Sequence, residues 1–377
     1  MTTATQPNIE NLQPESVAYA RKSKRLSKEQ FQQLQQEFDA LRDDIRADLG
    51  QKDVDYMKNI IRVQRFLEIA GRTLIHFSFT PVPFMLGVSA LSVSKILDNM
   101  EIGHNVMHGQ YDWTNDPKLD SASFEWDTAC ESASWKRTHN FEHHTFTNVI
   151  GKDRDYGYSL LRLSEDTPWH PGRSIQIVYF AALSIFFQWG VALHELESER
   201  LRDGTFDVEE KKPYLKGLLK KGSKQAFKDY VFFPALAGPF FWKVMLGNAL
   251  ANLGRNLWAS AIIFCGHFTE QAQTFSEEEC ANETRGEWYY RQLLGSSNLT
   301  GGKLMHIMTG HLSFQVEHHI FPDIPAQRYE EMAPRVEAIC KKFDLPYNSG
   351  PFLRQYGTVI NRVWKYSFPD KAKSVKA

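Results

Sequence analysis

Seven histidines in this chain stand in clusters whose spacing suits metal chelation. His104 and His108 occur in GHNVMHG, His139, His143 and His144 in THNFEHHTFTN, and His318 and His319 in GHLSFQVEHHIFP. Two histidines four residues apart on a helix turn their rings to one face, the arrangement that grips one ion, and adjacent histidines can serve two neighbouring ions. If Gly310–Pro322 is helical, Gln315 lies one turn before His319 and His311 a turn before that, so both join the candidates. His267, in GHF, ends a long apolar region that would deliver it to the same face, making eight principal histidines. One such pair arises readily by chance. Three clusters, each beside an apolar stretch in a chain of only 13 histidines, do not. His76, His170, His194 and His306 stand alone and read as ordinary surface or core residues.

Eight imidazoles exceed what one structural zinc needs, since four ligands close such a site, so two ions are expected. A histidine-rich, sulfur-free pair suits iron, copper or zinc, and of these only the redox metals activate O2. A carboxylate di-iron bundle would want two E-x-x-H motifs. Glu101 and His104 form one, without a second. His194-Glu195 does not continue into H-E-x-x-H, which removes the zincin reading. Cys130, Cys265, Cys280 and Cys340 are scattered with no C-x-x-C pair, consistent with a reducing compartment. His170-Pro171-Gly172-Arg173 lacks the final glycine of a cytochrome b5 haem motif, and no flavin or iron–sulfur motif is present, so electrons for redox chemistry must come from outside.

The elements that would position these clusters are apolar. A formal net charge of −1 and a pI near 6.9 give no basic excess to attract nucleic acid. Residues 1–55 read as a polar arm, with the basic run Arg21, Lys22, Lys24 and Arg25, followed by an amphipathic helix through Phe31, Leu34, Phe38, Leu41 and Ile45 that Gly50 ends. No secretory leader is expected, and the basic arm is placed to touch anionic lipid. Residues 56–377 form the main domain. No charged side chain occurs between Arg72 and Lys95, and Pro81 and Pro83 interrupt that stretch, so residues from about Phe66 to Met100 suggest a hairpin of two short spans. Asp98, Asn99 and Glu101 close it just before the first cluster, which puts the site at the membrane face. A second uncharged run covers residues 174–194, and a third apolar region, Val231–Phe268, is interrupted by Lys243 and Arg255. About four crossings under a soluble cap follow. The mean hydropathy of −0.43 suits short spans under a large cap rather than a pure bundle. The second and third clusters share a side only if an even number of crossings separates them, or if Val231–Phe241 lies in the interface; both arrangements stay open.

HNVMH, HNFEHH and QVEHH, in this order and separated by apolar spans, resemble the three histidine boxes of the membrane fatty acid desaturase family. The resemblance runs from about Tyr56 onward and is strongest to bacterial acyl-CoA desaturases, in NMEIGHNVMHGQYDW, RTHNFEHHTFTN, IIFCGHF and FQVEHHIFPDIP. It implies an all-α membrane protein, with about four transmembrane helices under a helical cytosolic cap, whose eight histidines bind two non-haem irons. Gln315 stands where many members carry a histidine, and His311 is the candidate to supply that nitrogen. Asn148 and Asp155 would orient ring N–H groups, or serve as turn and cap residues. The implied reaction is an O2-dependent insertion of a cis double bond into a fatty acyl-CoA or lipid-bound acyl chain, mid-chain and Δ9-like. Electrons would come from a ferredoxin-type or flavin reductase. The implied location is a bacterial inner membrane, with the site on the cytoplasmic face. Trp126, Trp135, Phe141, Trp189 and Trp258 are candidate walls for an acyl tunnel, and Arg62, Arg65, Arg72, Lys136 and Arg137 candidates for a head group. A histidine-box lipid or alkane hydroxylase, or a non-catalytic membrane metal- or lipid-binding protein, are the alternatives.

Overall fold

The computed structural model describes residues 26–197, 200–201 and 204–370; the basic run of the arm lies outside them. The first helix, α1 (Lys28–Ala47), opens with a capping box in which Ser27 and Gln30 satisfy each other's backbone N–H. Its apolar stripe, Phe31, Leu34, Phe38, Leu41 and Ile45, is the one its spacing predicts. That stripe is buried against Tyr289, Phe321, Tyr329, Met332 and Val336, so α1 packs on the part of the chain that carries the third histidine cluster.

Two long helices follow, α2 (Gln51–Phe77) and α3 (Pro81–Ile96). Pro81 does not break a span. It starts α3, where its missing N–H costs nothing. The pair cross backbone to backbone at two glycines: a Cβ on Gly71 would lie 2.7 Å from the Leu91 nitrogen, and one on Gly87 2.9 Å from the Gly71 carbonyl oxygen. Small residues at a crossing let helices pack this closely. The apolar hairpin read from the sequence is therefore present, although α2 extends well beyond it toward the N-terminus. Exposed apolar side chains gather at its tip, with Phe77 and Phe79 at 72% and 88% exposure.

α3 runs on through a π-helical segment, Leu97–His104, to Met107. Pro81–Met107 is the one described helix long and apolar enough by itself to cross a membrane. The second apolar run is not a straight crossing. It divides into α4 (Gln176–Ile185) and α5 (Phe187–Leu193), and the broken pair is bent by 97° at Phe186. Asn256 holds the break: its amide donates to the Ile185 carbonyl, which the interruption frees, and its oxygen accepts from the Gln188 N–H. After α6 (Val208–Phe227), α7 (Phe241–His267) rises through the molecule and ends on His267. Lys243, a charge inside the third apolar region, donates to the His76 and Ser78 carbonyls at the end of α2.

The remaining chain includes α8 (Arg285–Gly295), a strand β1 (Asn298–Thr300), α9 (Gln315–Ile320), α10 (Tyr329–Lys342), β2 (Ser349–Pro351) and α11 (Phe352–Lys365), with shorter helical turns between them. β1 and β2 pair in parallel over three residues, a small clasp in a chain otherwise built of helices among the described residues. The architecture is all-helical, as expected.

Candidate dimetal centre

The first two clusters begin on π-helical segments, Leu97–His104 and Lys136–His143, and run just past their ends to His108 and His144. Such segments bond i to i+5, so residues four and five positions beyond His139 both fall about one turn along from it. That places His143 and His144 together. α9 contributes His318 and His319, and the end of α7 contributes His267.

These elements bring all eight principal histidines to one place. Ring nitrogens of His104, His108, His139 and His318 lie within 4.8 Å of one another, as do those of His143, His267 and His319, and those of His144, His318 and His319. Seven of the eight are buried and His108 is partly so. Nε2 of His108, His139, His318 and His319, and both nitrogens of His144, have no hydrogen-bond partner. A buried polar atom left in this state costs roughly 1–3 kcal/mol. Six such nitrogens facing one another are a donor set that metal ions satisfy, and its division into neighbouring groups fits two ions rather than one.

The other face of several of these rings is anchored. Nδ1 of His139 meets Asp155 at 2.7 Å and Nδ1 of His143 meets Asp153 at 2.8 Å. His319 Nδ1 reaches the Gln292 side-chain oxygen at 3.0 Å, and His267 Nδ1 donates to the Gly295 carbonyl at 3.2 Å. A proton held on Nδ1 leaves the Nε2 lone pair directed inward, the state a metal requires. Asp155 was a candidate from its position. Asp153, Gln292 and the Gly295 carbonyl were missed, and only Asp153 left a signal, two residues before Asp155 in GKDRDYG. His194, set aside as ordinary, places Nδ1 3.3 Å from the second oxygen of Asp155.

Three further candidates lie around the eight in different ways. Gly310–Pro322 is not one helix: Gly310 and His311 take positive φ angles of 66° and 56°, and α9 begins only at Gln315. The break turns His311 away from the ring cluster to Glu101, at 3.0 Å, and the other oxygen of Glu101 accepts from Tyr56 at 2.6 Å. Glu101 is thereby spent away from the cluster as well. Gln315 remains close, its amide 2.8 Å from Nε2 of His267 and its oxygen buried without a partner. Asn148 touches no imidazole. Its amide donates to the backbone carbonyls of Gln273, Gly295 and His267 itself.

Charge follows from the packing. Burial, together with the surrounding rings, pushes His144, His318 and His319 well below the usual imidazole range, which keeps them neutral. Burial acts on His143 in the same direction, but the carboxylates of Asp153 and Asp155 outweigh it and raise the pKa. Burial would raise Asp155, yet His143 and His139 hold it below the ordinary carboxylate range.

A cleft adjoins the cluster, its apolar walls including Trp126, Trp135, Tyr158, Phe187 and Ile263. Of the other aromatics considered, Phe141 is 63% exposed, Trp258 donates to the Met308 carbonyl, and Trp189 packs near Gly222. The candidate head-group cations are partly engaged: Arg72 with Glu68, Lys136 with the Ser121 carbonyl, and Arg137 with Glu195.

Helices that carry three histidine boxes to one buried cluster beside an apolar cleft define a histidine-box lipid oxidoreductase. The chain belongs to the fatty acid desaturase family, whose model matches residues 78–351. It is 42% identical over 345 residues to the NADPH-dependent stearoyl-CoA 9-desaturase of Mycobacterium tuberculosis, a match covering 90% of this chain and 81% of that one. More distant similarity extends to the sn-1 linoleoyl-lipid 6-desaturase of a Synechocystis species, 24% identical over 72% of this chain and 78% of the relative. Fatty acid desaturase 3 of Homo sapiens is 26% identical over 62% of this chain and 50% of its own length.

Proposed function

We propose that this protein desaturates fatty acyl-CoA, inserting a cis double bond near mid-chain in the Δ9-like manner of the stearoyl-CoA enzyme it is similar to. The observation that carries the reading is the convergence of unpartnered ring nitrogens beside an apolar cleft. His104, His108, His139 and His318 would hold one non-haem iron, and His143, His267 and His319 the other, with His144 in reach of His318 and His319. Gln315 stands beside His267 as a further possible donor, whereas the Glu101 contact assigns His311 a supporting part. Bound iron supplies the means to reduce O2 and so to remove hydrogen from an unactivated methylene. The chain's part is to line the cleft with aromatics that exclude water, and to keep the rings aimed inward through Asp153, Asp155 and Gln292.

Electrons come from an external ferredoxin-type or flavin reductase. The absence of a redox-carrier motif in the sequence and the NADPH dependence in the name of the M. tuberculosis relative support this. Turnover by purified protein without a reductase would overturn it. The catalytic domain spans residues 56–377, preceded by the arm and helix of residues 1–55. About four segments enter the membrane of a bacterial cell, with the site toward the cytoplasm. The apolar α2–α3 hairpin, with its exposed tip, supports that arrangement.

Gas chromatography of fatty acids from cells expressing the wild type and His143→Ala, with derivatisation that locates double bonds, tests the activity. A new mid-chain monounsaturated acid made only by the wild type is expected. A hydroxy acid in its place, or identical profiles with the reductase supplied, would contradict desaturation.

A further inference from the structure

One charged residue in the cleft is unexplained by the metal chemistry. Arg255 lies in the middle of α7, is 1% exposed, and lines the same cleft as His104, His139, His143 and His267. Its Nε donates to the Asn256 oxygen at 2.9 Å and its Nη2 to the Gln188 oxygen at 2.6 Å. Both partners are neutral. Nη1 is buried with no partner at all.

The nearby carboxylates are committed to other groups. Asp229 pairs with Lys95 at 2.9 Å, Asp127 with Lys228, and Asp98 accepts the Asp127 backbone N–H at 3.0 Å. Among the described residues, no carboxylate lies within ion-pair distance of Arg255. The surrounding backbone is also shaped to brace it. Asn256 secures the break between α4 and α5, and that break presents Gln188 to the guanidinium. A guanidinium fixed at two of its three nitrogens, with the third bare, is a preformed donor for an oxygen brought by a ligand.

A hydrocarbon chain lodged in the cleft would leave those buried N–H groups unsatisfied, which is unfavourable. The one oxygen-bearing group of a saturated acyl substrate that could remove the penalty is at its head. We infer that Arg255, braced by Gln188 and Asn256, receives the carbonyl oxygen at C1 of the acyl chain and so fixes which way the chain lies in the cleft. The inference rests on the proposed acyl desaturation and adds a specificity-determining residue to it. The oxygen can come from the thioester of an acyl-CoA or from the carboxylate of a free acid.

Binding to the iron-loaded protein, with no reductase and hence no turnover, tests this with three probes: stearoyl-CoA, S-octadecyl-CoA, in which a methylene replaces the carbonyl, and stearate. The wild type should bind stearoyl-CoA roughly tenfold or more tightly than the thioether. Arg255→Met should erase that preference and Gln188→Leu should reduce it, with iron content retained. Stearate binding as tight and as dependent on Arg255 assigns the carboxylate as a source; weak stearate binding assigns the thioester. Equal binding of thioester and thioether by the wild type, or an unchanged preference in Arg255→Met, would overturn the inference. The wild-type comparison needs no variant, so a misfolded mutant leaves it intact. If cells make an alkene while the two analogues bind alike, this inference fails and the activity stands; the converse result removes the activity and leaves the carbonyl site.

Discussion

At the scale of residues, the buried rings are arranged by groups that sequence shows unevenly. The principal histidines were legible because a spacing of four is diagnostic on a helix and each cluster borders an apolar run. The place of His311 has a local cause: the continuous helix expected over Gly310–Pro322 is broken by the left-handed pair Gly310–His311, which sends the side chain to Glu101. His311→Ala should therefore destabilise the Glu101–Tyr56 contact yet keep the full iron content, while His318→Ala should lose iron; equal losses measured by metal analysis would contradict this. Asp153 has the opposite history, unremarked in sequence and central in space. Asp153→Asn should weaken iron binding by roughly 10–100-fold, as loss of a carboxylate behind a metal-bound histidine does, measured by competition with a chelator. The metal-free protein should also be sensitive to acid. His144, His318 and His319 have folded pKa values below their unfolded ones, so below about pH 6.5 the unfolded chain binds more protons and stability falls as pH falls. The raised pKa of His143 acts the other way, against these three and against His139, which burial also lowers. Thermal melting of the apo protein in detergent should show the midpoint dropping from pH 7.5 to 5.5; a rise would mean these rings are not buried neutral.

At the scale of elements, the apolar pattern disclosed the α2–α3 hairpin and the long α7, because uncharged runs of this length must be buried in protein or lipid. Bends were hidden. The 97° break in residues 171–196 depends on Asn256, which lies 60 residues beyond that segment, and no local signal at Phe186 announces it. The crossing of α2 and α3 was equally silent, since Gly71 and Gly87 gain meaning only when opposed. Gly87→Val would drive a side chain into the Gly71 carbonyl and the Ile75 backbone nitrogen, both 2.9 Å from the added Cβ. Overpacking of this kind costs about 1–3 kcal/mol or more, and because α3 runs on through Leu97–His104 into the first histidine box, the strain should reach the metal site. The expected result is a lower melting temperature with reduced iron retention. Unchanged values in both would show that the helices need not touch there.

At the scale of the molecule, the described residues form a helical body around one buried histidine cluster. The family was readable from three short boxes because the chemistry demands many imidazoles in a fixed order. The shape of the cleft was not readable, since its walls come from segments more than 150 residues apart, such as Trp126 and Leu312. Every functional statement made for the chain depends on the same premise, that the converging ring nitrogens hold a pair of irons. Elemental analysis of protein purified with iron and reconstituted anaerobically tests that premise most directly. About two irons per chain are predicted for the wild type, with fewer in His318→Ala and His143→Ala while the helical circular dichroism of each variant is unchanged. A single tightly held zinc, or an iron content indifferent to both substitutions, would contradict the account.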